Sequence, residues 1–299
     1  MPISTRWTLA VTGALALMAA AGHAQAPHHS SSGVVMLGTG NPIPDPDRFG
    51  PATAVIADRA AYLVDAGDGV MRRWRAAQSR HLVDDVRLRR VVFITHLHSD
   101  HTQGLPELIW WLWMTDQDDP ITIYGPHGTK AMIEHILAAW SEDIAIRTGG
   151  EGEFAGKPGP QVDVHEIEAG VVYQDSVVAV TAFAVHHGTW PQALGYRFNT
   201  PDKVIVISGD AAPPSAIPEQ CQHCDILVHE GGLPGAKATP YYHEFHSIAE
   251  EITRVANAAQ PRLLVLTHQR PGVNQAGLDI IRARYDGRVV IAGDLDVFH

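Results

Sequence analysis

Cysteine is nearly absent from this chain of 299 residues: there are two, in Cys221-Gln222-His223-Cys224. A zinc knuckle would need further cysteine or histidine partners at similar spacing, and a redox function would need a thioredoxin-like context that the neighbouring residues do not supply. In an exported protein the pair is expected to be either a small local disulfide or two inert thiols. Positive charge is scarce too. With 22 Lys and Arg against 33 Asp and Glu, the formal net charge is −11, which opposes non-specific binding to polyanions and makes nucleic acid a disfavoured partner. Long apolar runs are missing: the stretch over residues 7–21 is short for a membrane span. Gly38-Thr39-Gly40 lacks the third glycine and the following helix of a nucleotide fingerprint. No internal repeat is visible.

Residues 1–26 read as a secretory signal, with Arg6 near the start, an apolar stretch and then small residues suited to cleavage. Cleavage after Ala24 is favoured over Ala26, which would leave Pro27 at the first mature position. There is no twin arginine, and no cysteine precedes Cys221, so neither a Tat signal nor a lipoprotein anchor is indicated. The alternative is an uncleaved N-terminal anchor. Removing Arg6 with the signal takes the charge from −11 to about −12. The reading implies a periplasmic or secreted protein with no stable membrane insertion after signal removal. At 45% hydrophobic and 18% charged residues the remainder, 27–299, can bury a substantial core, and it is expected to form a single domain.

Residues 34–37, 90–94, 121–124, 162–167, 177–185, 203–207, 225–228, 263–267 and 289–292 read as strands, and 52–57 with 60–65 as a hairpin turning at Asp58-Arg59. Helices are expected to about Arg80 after Gly69, over 104–114, 128–140 and 275–285, and from a capping box at Ser247-Ile248-Ala249-Glu250 to Ala259. The glycine-rich residues 147–160 suggest a mobile loop. Trp110, Trp111 and Trp113 cannot share a face at 100° per residue; the core is their favoured place, with one bordering a substrate pocket.

The chemistry is concentrated in Thr95-His96-Leu97-His98-Ser99-Asp100-His101, on a loop between a strand and a helix. Three imidazoles and a carboxylate suit neither a core nor a plain turn, but they are the donors that divalent zinc prefers. His96 and His98, two apart at a strand end, can point to one side, while Asp100 and His101 lie further round; the spacing suggests two ions. Either His186 or His187 is a further ligand on spacing alone. Asp210 follows Ser208-Gly209 at a strand end, where a carboxylate can bridge two cations.

This His-x-His-x-Asp-His pattern resembles the signature of the metallo-β-lactamase superfamily. Residues 37–55, with Arg48 and Gly50-Pro51-Ala52-Thr53, are similar to the opening of its ribonuclease Z and arylsulfatase-like branch. The resemblance implies an αββα fold, two mixed sheets face to face between helical layers. It selects His187 through the following Pro191-Gln192-Ala193-Leu194-Gly195-Tyr196-Arg197-Phe198, leaving His186 a hydrogen-bonding neighbour. It places His96, His98 and His187 on one zinc and Asp100, His101 and His268 on the other, with Asp210 bridging and Asp65 bracing the loop. Manganese or iron also suits such donors. Asp100, Glu230 and His246 are the residues expected to act in catalysis, with His246, oriented by Glu230 of the His229-Glu230 pair, as proton donor.

A binuclear zinc hydrolase is thus expected. Its substrate would be a small extracytoplasmic molecule, first a phosphodiester or aryl sulfate. A lactone, β-lactam or activated aryl halide is the alternative on the same site, and a non-catalytic metal-binding protein the alternative of another class. Ribonuclease Z itself fits less well, because the tRNA-gripping arm inserted between the third and fourth motifs has no room in the 23 positions between His187 and Asp210. A homo-oligomer is compatible with the sequence.

Overall fold

The computed structural model describes residues 31–115, 119–270 and 274–299, together with Met1. Apart from Met1, the segment read as a signal and its polar linker as far as residue 30 lie outside the described residues.

The first half supplies β1 (Gly33–Gly38), β2 (Ala52–Ala57), β3 (Ala60–Val64), β4 (Arg87–Phe93), β5 (Ile121–Gly125) and β6 (Val162–Glu166). The second supplies β7 (Gly170–Gln174), β8 (Ala179–Val185), β9 (Ala193–Asn199), β10 (Val204–Ile207), β11 (Ile226–Glu230), β12 (Leu263–Thr267) and β13 (Arg288–Ile291), and β14 (Val297–Phe298) returns to the first sheet. The strand orders are β14-β1-β2-β3-β4-β5-β6 and β13-β12-β11-β10-β9-β8-β7, each mixing parallel and antiparallel pairs.

Side chains alternate across each strand, so one strand feeds two cores. Val34 and Met36 of β1 join Tyr62, Phe93, Tyr196, Phe198 and Val228 between the sheets, whereas Val35 and Leu37 face outward to α1 (Val70–Ser79), α3 (Leu105–Thr115) and α4 (Thr129–Ala139). Leu227 and Leu264 likewise face out from the second sheet, towards α6 (Ile217–Cys221), α8 (Ala249–Ala259) and α9 (Asn274–Arg282). The αββα sandwich is as expected. The short helices α2 (Ser99–Thr102), α5 (Ser141–Thr148) and α7 (Pro240–Phe245) complete the set. No helix among the described residues is long and apolar enough to cross a membrane.

Strand direction brings the polar residues together. β10, β11 and β12 are mutually parallel, and β8 runs the same way, because it is antiparallel to β9, which is antiparallel to β10. Their C-terminal ends therefore emerge on one edge and deliver His187, Asp210, Glu230 and His268. In the other sheet β3 and β4 are parallel and release Asp65 and the histidine loop.

Several local expectations change. Of residues 147–160, read as a loop, Arg147 and Thr148 end α5 (Ser141–Thr148); the rest form turns, in which Phe154 N donates to Arg147 O and the Phe154 ring packs 5.0 Å from Trp113. The capping box expected at Ser247 does not form: the N-cap of α8 is Ile248, whose side chain has no acceptor, and only the return bond from its N–H to the Glu251 carboxylate is made. Ser247 Oγ donates to Ala211 O, and Glu250 accepts from Gly235 N. The tryptophans of α3 belong to the helical layer: Trp113 is buried and donates to Pro158 O, and Trp110 packs against Trp140 and donates to Asp143. Cys221 and Cys224 form a buried disulfide, the first of the two readings left open by the sequence.

Candidate metal centre

Asp65 sets the loop. At the end of β3, in the left-handed region with φ 61°, its Oδ1 accepts from Thr95 N at 2.8 Å and its Oδ2 lies 2.8 Å from His101 Nδ1. A non-glycine residue at positive φ carries a local cost that the surrounding hydrogen bonds must offset. His101 is thereby turned so that Nε2 faces the centre, 3.4 Å from Asp210 Oδ1 and 3.6 Å from Asp100 Oδ2. The bracing role expected of Asp65 matches this geometry. Asp65→Ala is expected to weaken zinc binding about 10- to 100-fold, the usual effect of losing an orienting partner. Competition with a chromophoric chelator reads it, and unchanged affinity would reduce Asp65 to a turn residue.

Two donor sets meet at Asp210. His96 Nε2 and His187 Nε2 each lie 3.0 Å from His98 Nδ1, and both are 3.9 Å from Asp210 Oδ2. Three nitrogens on one tetrahedral zinc would stand roughly 3.3 Å apart, so the trio is close to ligand spacing before any adjustment. His187 Nδ1–H donates to Phe245 O at 2.6 Å, which presents Nε2 inward. On the other side His268 Nε2 is 3.2 Å from Asp100 Oδ2 and 3.3 Å from Asp210 Oδ2. Gly209 allows the approach: its φ is 60°, and a Cβ there would lie 2.8 Å from Leu194 O and 2.9 Å from Thr95 Cβ.

The electrostatics suit cations. Burial and neighbouring His101 hold His96 well below the usual imidazole range, burial and His187 bring His98 to about 4, and burial lowers His187, so this trio is neutral with lone pairs available. Burial alone would raise Asp210, but His268 and His101 outweigh it and keep the carboxylate well below its usual range. Burial opposes a charge on His101, yet Asp210 and Asp65 draw it well above the ordinary value. The carboxylates demand positive charge at this point. The buried atoms His101 Nε2, Asp210 Oδ1, Glu230 Oε2 and His246 Nδ1 also have no hydrogen-bond partner. Native proteins leave few such atoms, and four in one place fit a site that binds metal rather than one closed by hydrogen bonds.

Glu230 and His246 stand over the Asp210 side. Glu230 Oε1 accepts from Ser247 N at 2.9 Å, while Oε2 points to His246 Nδ1 at 3.3 Å. Burial lowers the His246 pKa, but Glu230 and then Asp210 more than reverse this and raise it to about 9. His229 is fully buried, with Nδ1 turned to the backbone of Glu230. His186 is exposed and contributes its carbonyl, which accepts from Ala212 N. Arg48 is a brace: Nη1 donates to Thr39 Oγ1 and Ala292 O.

Trp190 was not anticipated from the sequence. Its Nε1–H donates to His98 Nε2 at 2.7 Å, and its ring stands perpendicular to that imidazole. This bond requires the His98 proton on Nδ1. A cation at Nδ1 requires it on Nε2, where the indole N–H loses its acceptor. Zinc titration is therefore expected to change tryptophan emission, and Trp190→Phe to abolish most of that change; an identical response in the variant would contradict the coupling.

Residues 61–269 match a family model described as a Beta-lactamase superfamily domain. Ribonuclease Z of Mycobacterium bovis (strain BCG / Pasteur 1173P2) is 31% identical over 276 residues, an overlap covering 88% of this chain and 96% of that protein. Among solved structures, human tRNase Z, short form, superposes with a TM-score of 0.67 at 23% identity, covering 89% of this chain and 98% of that one. A diphosphatase from the PhnP family does so with a TM-score of 0.65 at 17% identity, covering 90% and 98%.

Proposed function

Because the chain belongs to the metallo-β-lactamase superfamily, on its ribonuclease Z branch, we propose that this metal-dependent hydrolase is a binuclear zinc enzyme that cleaves small phosphodiesters outside the cytoplasm. The observation that carries the reading is Asp210, which groups with His96, His98 and His187 on one side and lies 3.4 Å from His101 Nε2 and 3.3 Å from His268 Nε2 on the other, with Glu230 and His246 as further donors close to it. His96, His98 and His187 would hold one ion, Asp100, His101 and His268 the other, and Asp210 both. When bound, zinc supplies Lewis acidity and lowers the pKa of water to about 7, so that hydroxide is at hand at neutral pH.

The chain's own residues do the rest. Asp65 and Phe245 O fix the ring orientations of His101 and His187. His246 keeps Nδ1 turned to Glu230 Oε2 and Asp210 Oδ2, at 3.3 and 3.8 Å, which leaves Nε2 to give its proton to the leaving oxygen as the P–O bond breaks. Glu230, anchored through Oε1, stabilises the proton that stays on Nδ1.

Phosphodiester is preferred to aryl sulfate because the relatives above 30% identity are named ribonuclease Z, whose substrate bond is a phosphodiester. Those names also favour RNA itself, and this is the second reading. Supporting the small substrate are the net charge of −11 and the tight connection of β9 to β10, where Thr200 N donates to Lys203 O and no arm intervenes. The buried disulfide and the apolar N-terminal stretch support an oxidising compartment. The test is a panel on zinc-loaded protein: bis-p-nitrophenyl phosphate, p-nitrophenyl sulfate, a homoserine lactone, nitrocefin and a precursor tRNA. Turnover chiefly of the phosphodiester is expected. Efficient trimming of the tRNA would establish the second reading instead, and a preference for sulfate, lactone or lactam would overturn the choice of bond.

A further inference from the structure

His101 and His187 are aimed at the centre through their far ring nitrogens, by Asp65 and by Phe245 O. His268 is held differently. Among the described residues its Nδ1 has no hydrogen-bond partner, and the rings of His101 and His246 each lie 5.4 Å from its own. Its Nε2 nevertheless stands 3.2 Å from Asp100 Oδ2 and 3.3 Å from Asp210 Oδ2, on a residue whose φ is 58°. Left-handed backbone is disfavoured for a residue with a Cβ, so groups other than the imidazole must hold it there.

The neighbouring peptides do so. Gln269 is buried, and it is bonded through its N–H, its carbonyl and its side-chain amide. The N–H donates to Thr39 O at 2.8 Å, the carbonyl accepts from Asn41 Nδ2 at 2.6 Å, and Nε2 donates to Thr267 O at 2.6 Å and to Gly231 O at 3.1 Å. Thr267 O belongs to the peptide before His268 and Gln269 N to the peptide after it. With both planes pinned, φ and ψ of His268 are set, and the direction of its Cβ with them. The partners are fixed in turn. Thr39 donates through its N–H and hydroxyl to Asp294 Oδ1 at 2.9 and 2.7 Å, and Asn41 Oδ1 accepts from Ile43 N at 2.8 Å.

Resting on the binuclear reading above, we infer that Gln269 and Asn41 are positioning residues for the second ion. They hold the backbone of His268 in the left-handed conformation that turns Nε2 toward Asp100 and Asp210, a task that side-chain hydrogen bonds perform for His101 and His187. The hydrogen bonds that orient His96 and His187 come from Thr95 and Phe245 O, so the first donor set is independent of the pair. The loop after β1 thereby supports the centre without offering it a ligand.

Gln269→Met keeps the length and suits burial but loses the amide bonds. In a His187→Ala background, where the remaining ion sits on the His268 side, it is expected to weaken zinc binding about 10- to 100-fold in competition with a chromophoric chelator. In a His268→Ala background, where the ion sits on the His187 side, it should change nothing. A residue of merely structural importance would weaken both or neither, and either result would overturn the inference. Asn41→Ala, which frees the Gln269 carbonyl from the loop, should give the same pattern and covers the case in which Gln269→Met fails to fold. If the wild type binds a single ion, the binuclear reading fails, and the positioning role is judged on metal-free protein. Crystal structures of apo wild type and Gln269→Met should then differ at His268, with φ leaving the left-handed region and Nε2 out of hydrogen-bonding reach of Asp100 in the variant; an unmoved His268 would contradict the role.

Discussion

Asp210→Ala is expected to lower kcat/KM by about a thousandfold or more and to reduce the zinc content from two ions to at most one. The Asp210 carboxylate lies 3.4 Å from His101 Nε2, 3.3 Å from His268 Nε2 and 3.9 Å from the Nε2 atoms of His96 and His187, so it faces both donor sets at once. On the proposed reading its removal would take away a shared ligand and a buried negative charge that would balance two cations. Metal ions contribute several kcal/mol of charge stabilisation in such reactions, and each factor of ten in rate is about 1.4 kcal/mol, which sets the expected scale. Asp210→Asn keeps the shape and loses the charge; it should retain more zinc than the alanine variant and still be strongly impaired. Unaltered thermal unfolding of the apo forms would assign the loss to the centre. Full zinc content and activity within tenfold of wild type in Asp210→Ala would refute the bridging role.

His246→Ala is expected to act selectively. Its effect should be about 10²- to 10⁴-fold for a phosphodiester with an alkyl leaving group, which needs a proton, and far smaller for one releasing p-nitrophenolate. The basis is positional: Nδ1 faces Glu230 Oε2 and Asp210, the ring is packed between Tyr242 and His268, and Nε2 is the nitrogen available to the substrate. Glu230→Gln should reproduce the leaving-group dependence in weaker form, since it keeps the anchoring acceptor Oε1 but removes the charge opposite Nδ1. Equal losses for both leaving groups would end the proton-donor assignment and make His246 a structural neighbour of the metals.

Much of the centre was legible because its residues sit at strand ends in short, dense motifs. His96, His98, Asp100 and His101 announce themselves by composition, and Asp210 by the β-branched run and glycine before it, whereas His268 was reached through the family resemblance. Choosing His187 over His186 required the family resemblance, because adjacent residues differ in facing, which no spacing reveals. The structure separates them by burial: His187 points in and His186 out. The surroundings of His98 and His187 were harder to see. Trp190 follows a left-handed glycine in a loop with no periodicity, and α7 is only six residues long. A signal for that helix was present nonetheless, as Thr239 caps it and Pro240 occupies its first turn. The three tryptophans near residue 110 attracted attention by size alone, and 100° spacing cannot say which face looks toward the metals. The edge strand β7 escaped notice because it is largely exposed and opens on a glycine, and α5 because none of its residues is buried.

The central claim is that two cations are held by separate donor sets that share Asp210. Zinc content per chain, measured by mass spectrometry on reconstituted wild type, His187→Ala and His268→Ala after removal of loosely bound metal, tests it most directly. Two ions in the wild type and about one in each variant are predicted. One ion in the wild type, lost equally in both variants, would mean a single mononuclear site and contradict the account.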